Sequence, residues 1–127
     1  MIKLGVESVL QKLSDKGQRM GIISNIDPRI EGLLKEAGIR HHFEFVLPSY
    51  EAKCFKPHPA IFKLALEKYS RETTHPSECC HVGDSYIEDF VGATDSGWNG
   101  VLIEESGKTD IDSRFSCRNI QELIDRF

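Results

Sequence analysis

Four short, largely apolar runs, separated by amphipathic stretches, constrain this chain more than anything else in it. They are Met20-Gly21-Ile22-Ile23, Phe43-Glu44-Phe45-Val46-Leu47, Cys79-Cys80-His81-Val82 and Val101-Leu102-Ile103. Runs this short and this continuous suit strands covered on both faces rather than strands with a wet side. The stretches between them carry a helical period instead. Val6, Val9, Leu10 and Leu13 precede the first run; Ile30, Leu33, Leu34 and Ala37 follow it; Phe62, Ala65, Leu66 and Tyr69 follow the second. Ile120, Leu123, Ile124 and Phe127 end the chain on one more such stripe. Strand and helix in alternation predict an α/β class: a Rossmann-like, three-layer α/β/α arrangement around a mostly parallel sheet.

The punctuation agrees with that reading. Gly17 sits where the first helix should stop, Asp27-Pro28 should open the second as N-cap and first helical residue, and Gly38 should close it. Pro48 should end the second strand, and Gly97-Trp98-Asn99-Gly100 should turn into the last. Residues 49–58, 70–77 and 104–116 read as polar connections. With 127 residues and no repeat or low-complexity segment, the chain is expected to be one domain spanning 1–127.

Sixteen Lys and Arg are scattered among twenty Asp and Glu, which excludes the basic footprint of a nucleic-acid binder. No apolar run approaches a bilayer span and no signal-peptide core opens the chain, so no membrane partner is expected and the default location is intracellular, cytoplasmic. The four cysteines show no disulfide framework, and Cys54, His58, Cys79 and His81 lack the paired spacing of a zinc site. His41 and His42 read as surface or packing residues.

Chemistry is sought beyond the carboxyl ends of the strands, where open α/β sheets bind ligands. Ser24-Asn25 follows the first run, and Gly83-Asp84-Ser85, with Asp89 five residues after Asp84, follows the third. A hydroxyl and an amide at Ser24-Asn25 suit an oxyanion, or simply a polar turn feeding the Asp27 cap. Asp84 suits a hard cation such as magnesium, or, with Ser85, a turn and helix cap. Lys56 precedes Pro57-His58-Pro59, a rigid step that holds it, although a solvated loop lysine is the usual fate of the type. Two imitations are set aside as solvated loop. Gly107-Lys108-Thr109 lacks the earlier glycine of a phosphate-binding loop, and no buried strand delivers Asp110-Ile111-Asp112 to a crevice.

The ordered set Ile22-Ile23-Ser24-Asn25, Lys56-Pro57-His58-Pro59 with Ile61-Phe62, and Val82-Gly83-Asp84-Ser85 through Asp89 resembles the second, third and fourth motifs of the haloacid dehalogenase-like hydrolase superfamily. Gly92-Ala93 and Ser96-Gly97 extend the likeness, which runs from about Gly5 to Phe127. The SNxD, KPxPxIF and HVGDxYxxD patterns narrow it to one group within the superfamily. The resemblance implies a core that cleaves phosphate esters through a phospho-aspartate with magnesium, or in a minority of members displaces halide. It further implies that Ser24 bonds the phosphoryl group, Asn25 orients the pocket and Lys56 stabilises negative charge. Asp84 would hold magnesium with support from Asp89.

The family's first motif, DxDx[TV], has no counterpart among these residues, and neither does a cap module. The expectation is therefore the C-terminal part of a hydrolase core, as a truncated product, an isoform or an incomplete gene model, inactive by itself for want of the nucleophile. A small phosphorylated substrate is expected if the core is completed. The alternative is a non-catalytic binding or interaction protein that keeps the fold and metal pocket. In the family's sheet the first strand lies between the second and fourth. Its absence implies that two half-sheets close on each other, that another chain pairs with them or the chain self-associates, or that stability suffers.

Overall fold

The computed structural model describes residues 6–25, 29–69, 74–106 and 110–127. Helix α1 (Val6–Asp15) buries Val9, Leu10 and Leu13, the stripe its spacing predicts, and Gly17 ends it at φ +85°. Strand β1 (Gly21–Ser24) pairs in parallel with β2 (Phe45–Pro48), Gly21 opposite Phe45 and Ser24 opposite Pro48. Strand β3 (Cys80–Gly83) pairs in parallel with β4 (Asn99–Ile103), which pairs in parallel with β5 (Ser116–Cys117). The order is thus β2-β1 in one sheet and β3-β4-β5 in the other. Among the described residues no ladder joins β1 to β3, so direct closure of the two half-sheets by backbone hydrogen bonds is not how they meet.

They meet through helix α4 (Pro59–Tyr69) instead. Ile61, Phe62 and Ala65 pack with Ile23 of β1, Leu47 of β2 and Ala93 of α5 (Gly92–Asp95). The Phe62 ring lies edge-on to His81 of β3, centroids 5.3 Å apart, and to Trp98 at 5.4 Å. One fully buried phenylalanine therefore touches both sheets.

Period-two alternation sorts the strand residues by face. Ile23 joins the α4 cluster, whereas Ile22 joins Leu10, Leu34, Ile39 and Val46 beneath α1 and α2 (Ile30–Glu36). In β3, Cys80 and Val82 pack with Val101, Cys117 and Leu123 on the face covered by the C-terminal 3-10 stretch Ile120–Arg126. The Lys16 ammonium ties α1 to that stretch through the Ile124 and Phe127 carbonyls, at 2.5 and 2.7 Å. Helices on both faces of parallel strands make the Rossmann-like α/β layering expected from the sequence.

Several local expectations change. Leu33 is 50% exposed because α2 turns only Leu34 fully inward. Pro48 ends β2 as expected, being itself the last paired residue, while the strand starts at Phe45 rather than Phe43. The connection after it contains a one-turn helix α3 (Ser49–Ala52), and β5, too short to carry a pattern, lies at the end of a stretch read as loop. The C-terminal stripe is wound as 3-10 rather than α-helix. The Asp27-Pro28 cap and Gly107-Lys108-Thr109 lie outside the described residues, as does the Tyr69 side chain.

Candidate active site at the strand ends

The loop after β3 is built by reciprocal capping. Ser85 is the N-cap of a π-helical turn, Tyr86–Val91, and its hydroxyl oxygen accepts the Glu88 N–H at 3.2 Å. The Ser85 N–H in turn donates to Asp89 Oδ2 at 3.0 Å. Capping thus falls to Ser85 and Asp89, and Asp84 is left exposed just past the strand end. Single π-turns are frequent at functional sites.

Asp89 is only 4% exposed and faces back under β3. A Cβ on Gly83 would lie 2.2 Å from its Cγ, so only glycine lets the carboxylate come so close to the strand. Asp89 Oδ1 accepts from the Lys56 ammonium at 2.5 Å and sits 3.0 Å from His81 Nε2. Burial alone would raise the Asp89 carboxyl. Bonds from His81 and Lys56, the Lys56 charge and the Ser85 N–H together outweigh it and hold the group well below the usual carboxylate range.

Lys56 is 8% exposed, far from a loop lysine in solvent. Its backbone is held from β1: the Asn25 side-chain amide donates to the Lys56 carbonyl at 2.9 Å, and the Asn25 side-chain oxygen accepts the Lys56 N–H at 2.8 Å. The Lys56-Pro57 peptide is cis. The carboxyl ends of β1 and β3, from separate sheets, therefore converge on one buried lysine. Ser24 sits half-buried at the β1 end.

Of the residues singled out in the sequence, Asn25, Lys56 and Asp89 are joined in one hydrogen-bonded chain, with Ser24 and Asp84 at its two strand ends. His81 belongs to that chain and was not assigned a part in it. Strand alternation puts 81 and 83 on one face, but that Asp89 approaches on that face is visible only in the fold. Asp112 caps its own turn through the Arg114 N–H at 2.9 Å, in keeping with a loop role. Among the described residues, no three of Cys54, His58, Cys79 and His81 come into ligating range of one another.

Parallel strands with helices on both faces, and a buried lysine–carboxylate pair where the strands end, define the class as a Rossmann-like α/β core. Comparison with known proteins narrows the class. The sequence model of the haloacid dehalogenase-like hydrolases matches residues 1–97, and the chain belongs to that family. It is 38% identical over 106 residues to mouse haloacid dehalogenase-like hydrolase domain-containing protein 3, covering 84% of this chain and 41% of that protein. To the human protein of the same name it is 40% identical over 99 residues, covering 78% and 38%. Among solved structures it is similar to a phosphatase of the family from Thermococcus onnurineus, 27% identical with a TM-score of 0.86, covering 98% of this chain and 57% of that one. A 2-haloacid dehalogenase from Pseudomonas syringae is equally close in sequence, at 27% identity and a TM-score of 0.81 over 99% and 53%. The chain spans about two fifths of the length of these curated relatives.

Proposed function

We propose that these residues form the charge-compensating part of a magnesium-dependent phosphatase core, in which phosphoryl transfer runs through an aspartyl nucleophile that the 127 residues do not contain. The observation that carries this is the buried Lys56, fixed from β1 by Asn25 and from β3 by Asp89. A phosphoryl site consists mostly of positioning and charge compensation. A preorganised ammonium in a low-dielectric site supplies both at the moment charge builds on the equatorial oxygens. Asn25 and Asp89 act as positioning residues for Lys56, and the Ser24 hydroxyl, at the adjoining strand end, donates to a phosphoryl oxygen.

The donor set fits magnesium. Asp84 offers an exposed carboxylate, and Asp89 is held ionised with one Oδ2 lone pair beyond the Ser85 N–H. Magnesium takes one or two carboxylates and keeps several waters, so Asp84 would be the direct ligand and Asp89 its support. The ion would supply Lewis-acid polarisation of the phosphoryl group. That supports phosphate over halide as the leaving chemistry, since a neutral carbon–halogen bond offers a hard cation nothing comparable.

The test is a pair of measurements on the 127-residue protein. Magnesium should raise Tm in wild type and not in Asp84→Asn, while a generic aryl phosphate should not be turned over by either. Turnover that depends on Asp84 would refute the need for a further nucleophile, and a magnesium response unchanged in Asp84→Asn would refute the metal assignment.

A further inference from the structure

Away from the strand ends, Glu7, His41 and His42 come together although 33 residues of sequence, and the elements β1 and α2, separate the glutamate from the histidines. One ligand atom from each lies within 4.8 Å of the other two. Glu7 is in the first turn of α1, and the histidines end the 3-10 turn Arg40–His42 that leads into β2. Consecutive residues of such a turn usually diverge, yet these two rings lie side by side, centroids 4.1 Å apart and planes tilted by 37°. In addition, His42 Nε2 is buried with no hydrogen-bond partner among the described residues. A buried imidazole nitrogen left unpaired carries a desolvation cost, and each such group in a native structure asks for an explanation.

We propose that Glu7, His41 and His42 form a site for a zinc-class divalent cation that clamps α1 to the turn ahead of β2. Two imidazoles and one carboxylate are a borderline-soft donor set; they favour first-row ions such as zinc over magnesium, which prefers oxygen alone. Three protein ligands leave a fourth tetrahedral position for water. Donors around zinc stand at about 2.0–2.1 Å from the ion, hence roughly 3.4 Å from one another. Small side-chain rotations by Glu7 and His41, both exposed, close the remaining gap.

The supporting frame is already rigid. Val6 and Phe43, the neighbours of Glu7 and His42, pack in the same apolar cluster as Leu10 and Ile39. The turn is pinned by Arg40, whose guanidinium pairs with Glu31 and donates to the Phe43 carbonyl at 2.7 Å. That arrangement draws the Arg40 guanidinium towards Glu31, while the histidine pair lies beside the Glu7 carboxylate. The site shares no residue with the strand-end cluster, so it stands or falls separately from the magnesium proposal.

The experiment is zinc titration of the 127-residue protein by calorimetry, with Tm measured in parallel, on wild type, His41→Ala, Glu7→Gln and Asp84→Asn. Both ligand variants are at exposed positions, and circular dichroism checks that each is folded. The expected result is one zinc per chain and a Tm rise of about 5 °C in wild type and Asp84→Asn. Affinity should fall by about tenfold or more in His41→Ala and in Glu7→Gln, and magnesium should not compete. Failure of wild type to bind zinc overturns the site. So does binding that His41→Ala or Glu7→Gln leaves intact, which would put the ion on the thiols.

Discussion

The buried Lys56–Asp89 pair sets the size of one perturbation. At 2.5 Å and an effective dielectric near 20, the gross attraction is about 7 kcal/mol. Removing both groups from water consumes most of it, so the pair is worth little against an apolar replacement of the same shape. Breaking it is another matter. Asp89→Asn keeps the size but turns one oxygen into an NH2. With its oxygen towards Lys56 and His81, the new amide hydrogens oppose the Ser85 N–H; flipped, they oppose the Lys56 ammonium. Either way a buried cation loses its counter-charge and two donors face each other. The expected destabilisation is about 3–5 kcal/mol. With an m-value of about 1.5 kcal/mol per molar urea, the midpoint should drop by roughly 2–3 M.

Urea melts followed by circular dichroism measure this directly, and Lys56→Met/Asp89→Leu serves as the companion variant. It removes both charges and should be more stable than Asp89→Asn alone. The pH dependence provides a second reading. Asp89 has a folded pKa below its unfolded value of about 3.9, so its contribution is complete above that value and is lost as pH falls through the folded one. Wild type should lose stability on acidification below about pH 4, and Asp89→Asn should lack that part of the loss. An Asp89→Asn stability within about 1 kcal/mol of wild type, or a double variant no better than the single one, would refute the claim that this is a paired, buried charge.

Gly83→Ala should cost about 2–3 kcal/mol, measured by the same melts, because its Cβ would stand 2.2 Å from Asp89 Cγ and the carboxylate must leave the strand. Asn25→Ala removes both bonds that hold the Lys56 backbone and should cost about 1–3 kcal/mol; a loss below about 0.5 would mean the loop is held elsewhere. The Cys80 thiol is pushed up to about 11 by burial and by the neighbouring Cys117 and Cys79 thiols. At pH 8 only about 0.1% is thiolate, so mass-spectrometric alkylation of Cys80 should be slow and rise about tenfold per pH unit. The inner edges of β1 and β3 carry no ladder partner among the described residues, and sedimentation velocity should detect concentration-dependent association; a monomer across a wide concentration range would refute it.

The layers were legible because they rest on periodicity. Val9, Leu10 and Leu13 are where a 3.6-residue stripe puts them, and Ile22 and Ile23 divide between two cores because adjacent strand residues must. What escaped has equally specific causes. Leu33 satisfied the stripe but lies beside it, since α2 turns only Leu34 fully inward, and two-residue β5 carries no period at all. At the candidate site the residue types were readable and their partnerships were not. A sequence cannot say that Asn25 grips the Lys56 backbone across 31 residues, or that Asp89 turns under Gly83 towards His81. His41 and His42 were passed over for a similar reason: their third member, Glu7, is adjacent only in space.

The strand-end cluster has a second role that bears on how its chemistry can be tested. The two sheets share no ladder among the described residues, so their relative position rests on what crosses between them. Apolar crossing is supplied by α4, through Phe62 against His81 and Trp98. Polar crossing is supplied by the chain Asn25–Lys56–Asp89–His81, which starts just past β1 and ends on β3. The residues proposed to balance charge on a phosphoryl group are therefore the same ones that tie the half-sheets together where the strands end. A lost magnesium or phosphate response in an Asn25, Lys56 or Asp89 variant is ambiguous between chemistry and assembly. Asp84, exposed and outside that chain, is the position at which a substitution removes a proposed ligand while leaving the seam in place, and it is there that the metal assignment is decided.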